Sequence, residues 1–371
     1  MSLLDIDVQA CRVRQQRLLE YLRAAQIEMA VISSIEHIQY FVGPRFAWTF
    51  QPLAAIRTDD GHVTLVAPER RMPEIHAADD VVPYEAQWLS TLRNDQRQEA
   101  SKVLANSLGN VAQVKRWGVE YSCFSRYLPV ADTAEYIDLD PHFLQMRRRK
   151  DPDELAKIEK AIAGTGRMYE VARQLIRPGV NELDVFNELQ SAAVREFDEP
   201  LTGTGNDYRC AARGGAPRNR NAQPGELYIL DLGPAYRGYF ADNARTIAVS
   251  DVSELQDQAW QQIMLAFKHI EATVKPGVSC RQLFEQVSEV LSESAVGVFN
   301  HHLGHGIGLF PHEGPHLNPN WNDTFQEGDV FAAEPGLYDP KLNVGMRIEN
   351  DYLVTENGVR KLTPFPLELK L

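Results

Sequence analysis

A chain of 371 residues is long enough for about two domains, and its 44% hydrophobic content suits a soluble protein with a full core. The net charge of −13 excludes nucleic acid and anionic membrane as expected partners, since both are held through basic patches. The N-terminus is acidic where a signal peptide is basic, no apolar run reaches spanning length, and Cys11, Cys123, Cys210 and Cys280 are too scattered for a disulfide framework, so a cytoplasmic protein is expected.

Leu18, Leu19, Tyr21 and Leu22 recur in helical rhythm among Arg12, Gln15 and Gln16, and residues 29–33 read as a buried strand. Further strands are expected at 53–56, 63–66 and 117–119, with helical segments near Met72 and over 95–108. Residues 1–148 therefore read as a small α/β domain. It has no cluster of titratable residues, and no chemistry is assigned to it. Its aromatic stretch, Phe46 to Phe50 after the turn signal Gly43-Pro44, is expected to be core. The basic run Arg147 to Lys150 is too short for a nucleic-acid patch and marks the junction to a second domain, 149–371, whose first helix is signalled by Leu155, Ile158 and Ile162.

That second domain repeats itself. Pro178-Gly179-Val180 followed by Val185-Phe186 matches Pro276-Gly277-Val278 followed by Leu283-Phe284, each ahead of a helix-period segment. Gly225 to Gly233 and Gly328 to Gly336 share one frame: Gly, acid, apolar run, acid, one residue, Gly. Asp231 therefore matches Glu334. Downstream, Gly238 to Asn243 echoes Gly345 to Asn350, so Asp242 matches Glu349. The apolar runs read as buried strands, and the turn residues between Asp231 and Asp242 read as a hairpin. Arg347 and Glu349 share strand parity. If the copies pack about a pseudo-twofold axis, four carboxylates converge, and carboxylates are rarely buried together without a cation.

Half of the ten histidines, His301, His302, His305, His312 and His316, fall within sixteen residues. His305 lies in Gly304-His305-Gly306-Ile307-Gly308, where small neighbours would let a metal approach, and neutral imidazole is a common ligand. His312, in Pro311-His312-Glu313-Gly314-Pro315, is expected on the substrate side. His301 shares parity with His305 and is expected to line the pocket; His302, of opposite parity, is expected to be structural, as are His316 and His269. Asp231, Asp242, His305, Glu334 and Glu349 thus make five candidate ligands, four oxygen donors and one nitrogen, which suit Mn, Co or Zn. Two such dications about 3.5–4 Å apart can share a hydroxide and polarise a substrate carbonyl, as amide hydrolysis requires.

These motifs, with Glu334-Pro335-Gly336-Leu337-Tyr338, Gly345-Met346-Arg347-Ile348-Glu349-Asn350 and the run Met146 to Leu155 that opens the domain, resemble the pita-bread metallopeptidases: prolidases, Xaa-Pro and methionine aminopeptidases, and creatinase. The match covers about 220 residues from Lys150 onward. The resemblance implies an α+β, pita-bread catalytic domain with internal pseudo-twofold duplication behind a creatinase-like α/β domain, and a homodimer. It implies that Asp231 binds one metal, that Asp242 and Glu349 bridge, and that His305 and Glu334 complete the other metal. It further implies Glu334 as general base, His312 as oxyanion stabiliser, His301 as a substrate contact, and Arg347 and Tyr338 as supporting and substrate-side residues.

One departure bears on substrate. The family's peptidases usually carry a further His shortly before the first metal strand, and residues 202–226 contain none; the stretch instead holds Arg209, Arg213, Arg218 and Arg220. Two readings of these arginines stand, recognition of an anionic group on the substrate or a solvated loop. The expected activity is hydrolysis of short Xaa-Pro peptides, with hydrolysis of a small non-peptide C–N compound, as in creatinase or ectoine hydrolase relatives, as the alternative. A catalytically silent binding scaffold is the third reading, disfavoured by retention of all five ligand residues.

Overall fold

The computed structural model describes residues 2–124, 126–128 and 131–370, and the chain divides into two compact units, Met1–Met146 and Arg147–Leu371. In the first, α1 (Val8–Ala24) starts where Asp7 accepts a hydrogen bond from the Ala10 amide at 3.0 Å. Then follow β1 (Met29–Ile32), α2 (Ile35–Val42), β2 (Leu53–Arg57), β3 (Val63–Pro68), β4 (Asp80–Tyr84), the short pair β5 (Gln87–Trp88) and β6 (Thr91–Leu92), α3 (Gln96–Leu108), β7 (Arg116–Val119), β8 (Glu135–Asp138) and α4 (Asp140–Arg148). The main sheet runs β4-β3-β2-β1-β7-β8; β1/β2 and β2/β3 are antiparallel, and the other neighbours are parallel. Trp117 is fully buried in its core with Val31, Val66 and Leu104, each such side chain contributing roughly 1.5–3 kcal/mol.

Two expectations need adjustment here. The helical segment near Met72 is only a 3-10 turn, Glu69–Arg71, with Met72 already extended. Pro68 and Pro73 bracket it, and a residue preceding proline is driven out of the helical region. Of the aromatic stretch, Phe46 and Phe50 are core, but Trp48 is 81% exposed.

The second unit opens with α5 (Pro152–Leu175), whose start is fixed by a capping box between Asp151 and Glu154 and by proline in the first turn. After it come α6 (Glu182–Phe197), β9 (Asp207–Cys210), β10 (Leu227–Leu232), β11 (Ala235–Tyr236), β12 (Tyr239–Phe240) and β13 (Asn243–Ala248). A similar series follows: α7 (Glu254–Thr273), α8 (Cys280–Ser292), β14 (Gly304–Gly306), β15 (Glu313–Leu317), β16 (Val330–Ala333), β17 (Gly336–Leu337), β18 (Met346–Arg347) and β19 (Asn350–Thr355), with β20 (Gly358–Lys361) added at the edge.

The two sheets, β13-β10-β9 and β15-β14-β16-β19-β20, share a plan in which β10 and β16 are flanked by equivalent neighbours, and the small hairpins β11-β12 and β17-β18 fill equivalent connections. Gly225 and Gly328, which precede β10 and β16, sit at φ +81° and +89°, a turn conformation that side-chain-bearing residues resist. The duplication read from the repeated glycines is thus a duplication of turns. Helices α5 and α6 bury Met168, Tyr169, Val185 and Leu189 against the first sheet, and α7 and α8 bury Ile263, Phe267, Leu283 and Val287 against the second.

The halves are stitched where the acids lie. Along β13, Ala244 O accepts from the Glu349 amide at 2.9 Å, Arg245 Nη1 donates to Glu349 O at 2.5 Å, and Thr246 Oγ1 exchanges hydrogen bonds with the Arg347 backbone at 3.0 and 3.1 Å.

Candidate metal centre

The ladder between β10 and β13 ends at Leu232 opposite Asn243, which leaves Asp242 just past its end and Asp231 one step inside. The ladder between β16 and β19 ends at Ala333 opposite Asn350, which leaves Glu334 and Glu349 just past its end. Because β13 runs beside residues 347–350, the strand ends face one another. All nine residues singled out from the sequence, Asp231, Asp242, His301, His305, His312, Glu334, Tyr338, Arg347 and Glu349, line one cavity of about 280 Å³. Asn206, Asp207, Arg213 and His302 line it too.

Ligand atoms of Asp231, Asp242 and Glu349 lie within 4.8 Å of one another, and so do those of His305, Glu334 and Glu349. Glu349 belongs to both groups. Asp231 Oδ1 and Glu349 Oε2 are buried with no hydrogen-bond partner, which leaves lone pairs directed at nothing in the protein. Burial, then the charges of neighbouring carboxylates, Asp231 foremost for Asp242 and Asp242 for Glu349, push both carboxyls well above the usual carboxylate range. Behind them the fully buried Asp351 is raised too, chiefly by burial, while its Oδ2 accepts from the Asp242 amide at 3.3 Å. Clustered, partnerless oxygens with one imidazole are a donor set that fits a pair of dications.

His305 Nδ1 lies 3.0 Å from Gly306 O, an acceptor only, so that nitrogen carries the proton and Nε2 keeps its lone pair, 3.6 Å from Asp242 Oδ2 and 3.9 Å from Glu334 Oε1. Burial, then His312, pulls its pKa down to about 4, so the ring is a neutral donor of electrons at pH 7. His312 stacks on His305 with ring centroids 3.6 Å apart. Burial would make Glu334 harder to ionise, but the hydrogen bond from His302 Nε2 at 3.0 Å and the nearby imidazoles outweigh it and hold the carboxyl down to about 2.

Tyr338 and His301 belong to one relay. Arg347 Nη1 donates to Tyr338 Oη at 3.2 Å, and Tyr338 Oη lies 3.1 Å from His301 Nε2. His301 Nδ1 is 2.7 Å from His302 O, so this nitrogen also bears the proton and Nε2 accepts from the tyrosine. Burial drops the His301 pKa to about 4, in keeping with a neutral ring. Arg347 Nη2 pairs with Asp231 Oδ2 at 2.8 Å and with Asp207, and its Nε is 3.7 Å from Glu334 Oε2.

One sequence expectation, for His302, is revised by this geometry. Strand parity would turn His302 away, yet the strand spans only Gly304–Gly306; both His301 and His302 precede it in irregular chain, and both line the cavity. The glycines beside His305 have a packing reason to be small: a Cβ on Gly304 would collide with Ala332 O, and one on Gly306 with Gly314 O, so close strand packing requires them. Asp207 went unnoticed because it has no counterpart in the second repeat; only its register, opposite Asp231 on β9, brings it in.

Residues 156–356 match the model of metallopeptidase family M24, and residues 14–148 match the creatinase/prolidase N-terminal domain. The chain is 28% identical over 368 residues to the Xaa-Pro dipeptidase of Pyrococcus furiosus, covering 96% of this chain and 99% of the relative. It is 30% identical over 266 residues to the Xaa-Pro dipeptidase of Pyrococcus horikoshii, covering 69% and 75%. Among solved structures, the prolidase from Pyrococcus furiosus superposes with a TM-score of 0.78 at 26% identity, over 94% of this chain and 99% of that one.

Proposed function

The chain belongs to metallopeptidase family M24, and on that premise we propose that it is a two-metal peptidase cleaving short peptides at the bond before proline, as an Xaa-Pro dipeptidase or aminopeptidase. It has the pita-bread fold of the prolidases, a duplicated catalytic unit behind a creatinase-type domain. The observation that carries the reading is the sharing of Glu349 by two groups of three ligand residues. Asp231, Asp242 and Glu349 would hold one cation, and His305, Glu334 and Glu349 would hold the other. The oxygen-rich donor set with one imidazole favours Mn, Co or Zn.

A pair of dications held there would supply Lewis-acid polarisation of the scissile carbonyl and a water made nucleophilic near neutral pH. Glu334, kept ionised by His302, accepts the proton of the attacking water and delivers it to the leaving nitrogen. His312, whose pKa is lowered by burial and then by His302, stays neutral and donates to the developing oxyanion. His301, held between Tyr338 and a backbone carbonyl, and Tyr338 itself meet the substrate. Arg347 holds Asp231 and Asp207 in place. A homodimer goes with this reading, supported by the resemblance to family members, and a cytoplasmic location is supported by four cysteines too scattered for a disulfide framework. Among the described residues no helix is long and apolar enough to cross a membrane.

The test is a panel of Xaa-Pro dipeptides, longer Xaa-Pro peptides and cyclic amidines under defined metal loading. Hydrolysis of the proline peptides should vanish with chelator and return with Mn, Co or Zn. Full activity in metal-stripped protein would overturn the mechanism, and cleavage of amidines alone would move the protein to the non-peptide C–N hydrolases.

A further inference from the structure

Four arginines crowd residues 209–220, and the fold gives three of them structural work. Arg218 forks onto Glu182 at the start of α6, with Nε to Oε2 at 3.0 Å and Nη2 to Oε1 at 2.6 Å. Arg220 pairs bidentately with Glu226, just ahead of β10, one bond being Nη1 to Oε2 at 2.9 Å. Arg209 Nε donates to Ala216 O at 2.7 Å, within the loop. Arg213 alone of the four lines the catalytic cavity.

Its surroundings there are neutral. The guanidinium carbon lies 3.9 Å from the centre of the Tyr338 ring, and Nη2 donates to Asn300 Oδ1 at 2.6 Å. Although five acids line the cavity, none among the described residues forms an ion pair with Arg213. The other guanidinium of the cavity, Arg347, is committed to Asp207, Asp231 and Tyr338. Arg213 is therefore an exposed cation at the mouth, with its plane set by an aromatic face and its remaining N–H donors uncommitted to acids. A planar fork of this kind matches a carboxylate. The cavity, about 280 Å³, falls just below the span of about 300 to 1,000 Å³ usual for drug-sized ligands, which suits a small substrate.

Resting on the proposed peptidase activity, we propose that Arg213 binds the C-terminal carboxylate of a two-residue substrate and so makes the enzyme selective for dipeptides over longer chains. Chain continuing beyond the second residue replaces that carboxylate by a neutral amide, which cannot occupy both arms of the fork as an anion does. The residue acts on specificity and not on bond breaking.

The experiment compares Ala-Pro with its C-terminal amide on the metal-loaded wild type, Arg213→Met and Arg213→Lys, measuring kcat and KM. In parallel, calorimetry compares proline with prolinamide as ligands of the same proteins. Wild type should prefer the acid over the amide by about 10- to 100-fold in kcat/KM, the range for one charge-assisted hydrogen-bonded contact. In Arg213→Met, which keeps an apolar stem against Tyr338, that ratio should fall toward one, mainly through KM; Arg213→Lys should retain part of it. An acid preference that survives in Arg213→Met, or its absence from wild type, overturns the proposal. If neither peptide is cleaved but proline still binds better than prolinamide only when Arg213 is present, the assignment of Arg213 stands and the Xaa-Pro activity falls.

Discussion

Glu313 immediately follows His312, and its carboxylate is locked inside the protein by the basic run that opens the catalytic unit. Lys150 Nζ donates to Glu313 Oε1 at 2.5 Å and to Arg147 O at 2.8 Å, and Arg147 pairs with Glu313 Oε2. The three side chains are only 1–3% exposed. Glu313→Gln keeps the shape and removes the carboxylate charge shared by two buried cations, and breaking a buried pair by removing one partner costs about 3–5 kcal/mol. At about 2–4 °C per kcal/mol for a unit of 150–250 residues, the melting temperature at pH 7 should fall by about 6–20 °C. Turnover should fall as well, because the His312 loop loses its anchor. Burial alone would raise the Glu313 pKa, but Arg147 and Lys150 outweigh it and hold the carboxyl below its usual 4.5. A depressed folded-state value means that this contribution is complete above pH 4.5 and is lost as pH falls through the lower value. The gap between wild type and Glu313→Gln, followed by thermal unfolding, should therefore close under acid conditions. Melting temperatures within about 2 °C of each other at pH 7 would refute the argument that this trio is a strongly coupled buried ion cluster.

Substituting Asp242→Asn should invert stability with metal content. Without metal the variant should be more stable than wild type, because the carboxyl whose pKa is raised by burial and Asp231 no longer has to ionise; with metal the order should reverse, and equal shifts in both states would count against a metal role. For His312→Ala the expected loss is about 10²–10³-fold in kcat with little change in KM, as for a donor used only at the transition state, and a loss confined to KM would reassign it to ground-state binding.

The centre was legible in the sequence because its construction is repeated. Two copies of one turn–strand–acid unit leave the same glycines and acids at the same offsets, and backbone geometry fixes those glycines independently of function: Gly225 and Gly328 both take positive φ. The pairing of Asp231 with Glu334 and of Asp242 with Glu349 followed from that spacing alone. Features outside the repeat left no such trace. Asp207 is recognisable only from strand register, His302 only once the strand is seen to begin at Gly304, and the short turn near Met72 only when the flanking prolines are weighed above the charged residues between them. The arginines of residues 209–220 look alike in sequence; what separates Arg213 from Arg218 and Arg220 is the presence of Glu182 and Glu226 within reach of the latter two.

The basic run at 147–150, read from sequence as a junction, has a second consequence for the centre. Arg148 forks onto Asp329, with Nε to Oδ1 at 3.0 Å and Nη2 to Oδ2 at 2.6 Å, and Asp329 stands directly before β16, the strand that delivers Glu334. Arg147 and Lys150 hold Glu313, the neighbour of His312. One short segment thus anchors both the strand that supplies the proposed proton carrier and the loop that supplies the proposed oxyanion donor. Two groups that must act on the same scissile bond need a fixed separation, since misplacement of about 1 Å can cost 10²-fold in rate. Buried ion pairs are poor sources of net stability but strict about geometry, because a displaced partner leaves a charge without its counter-ion. That gives a physical reason for a repulsive, acid-rich site to be framed by buried cations that never enter it.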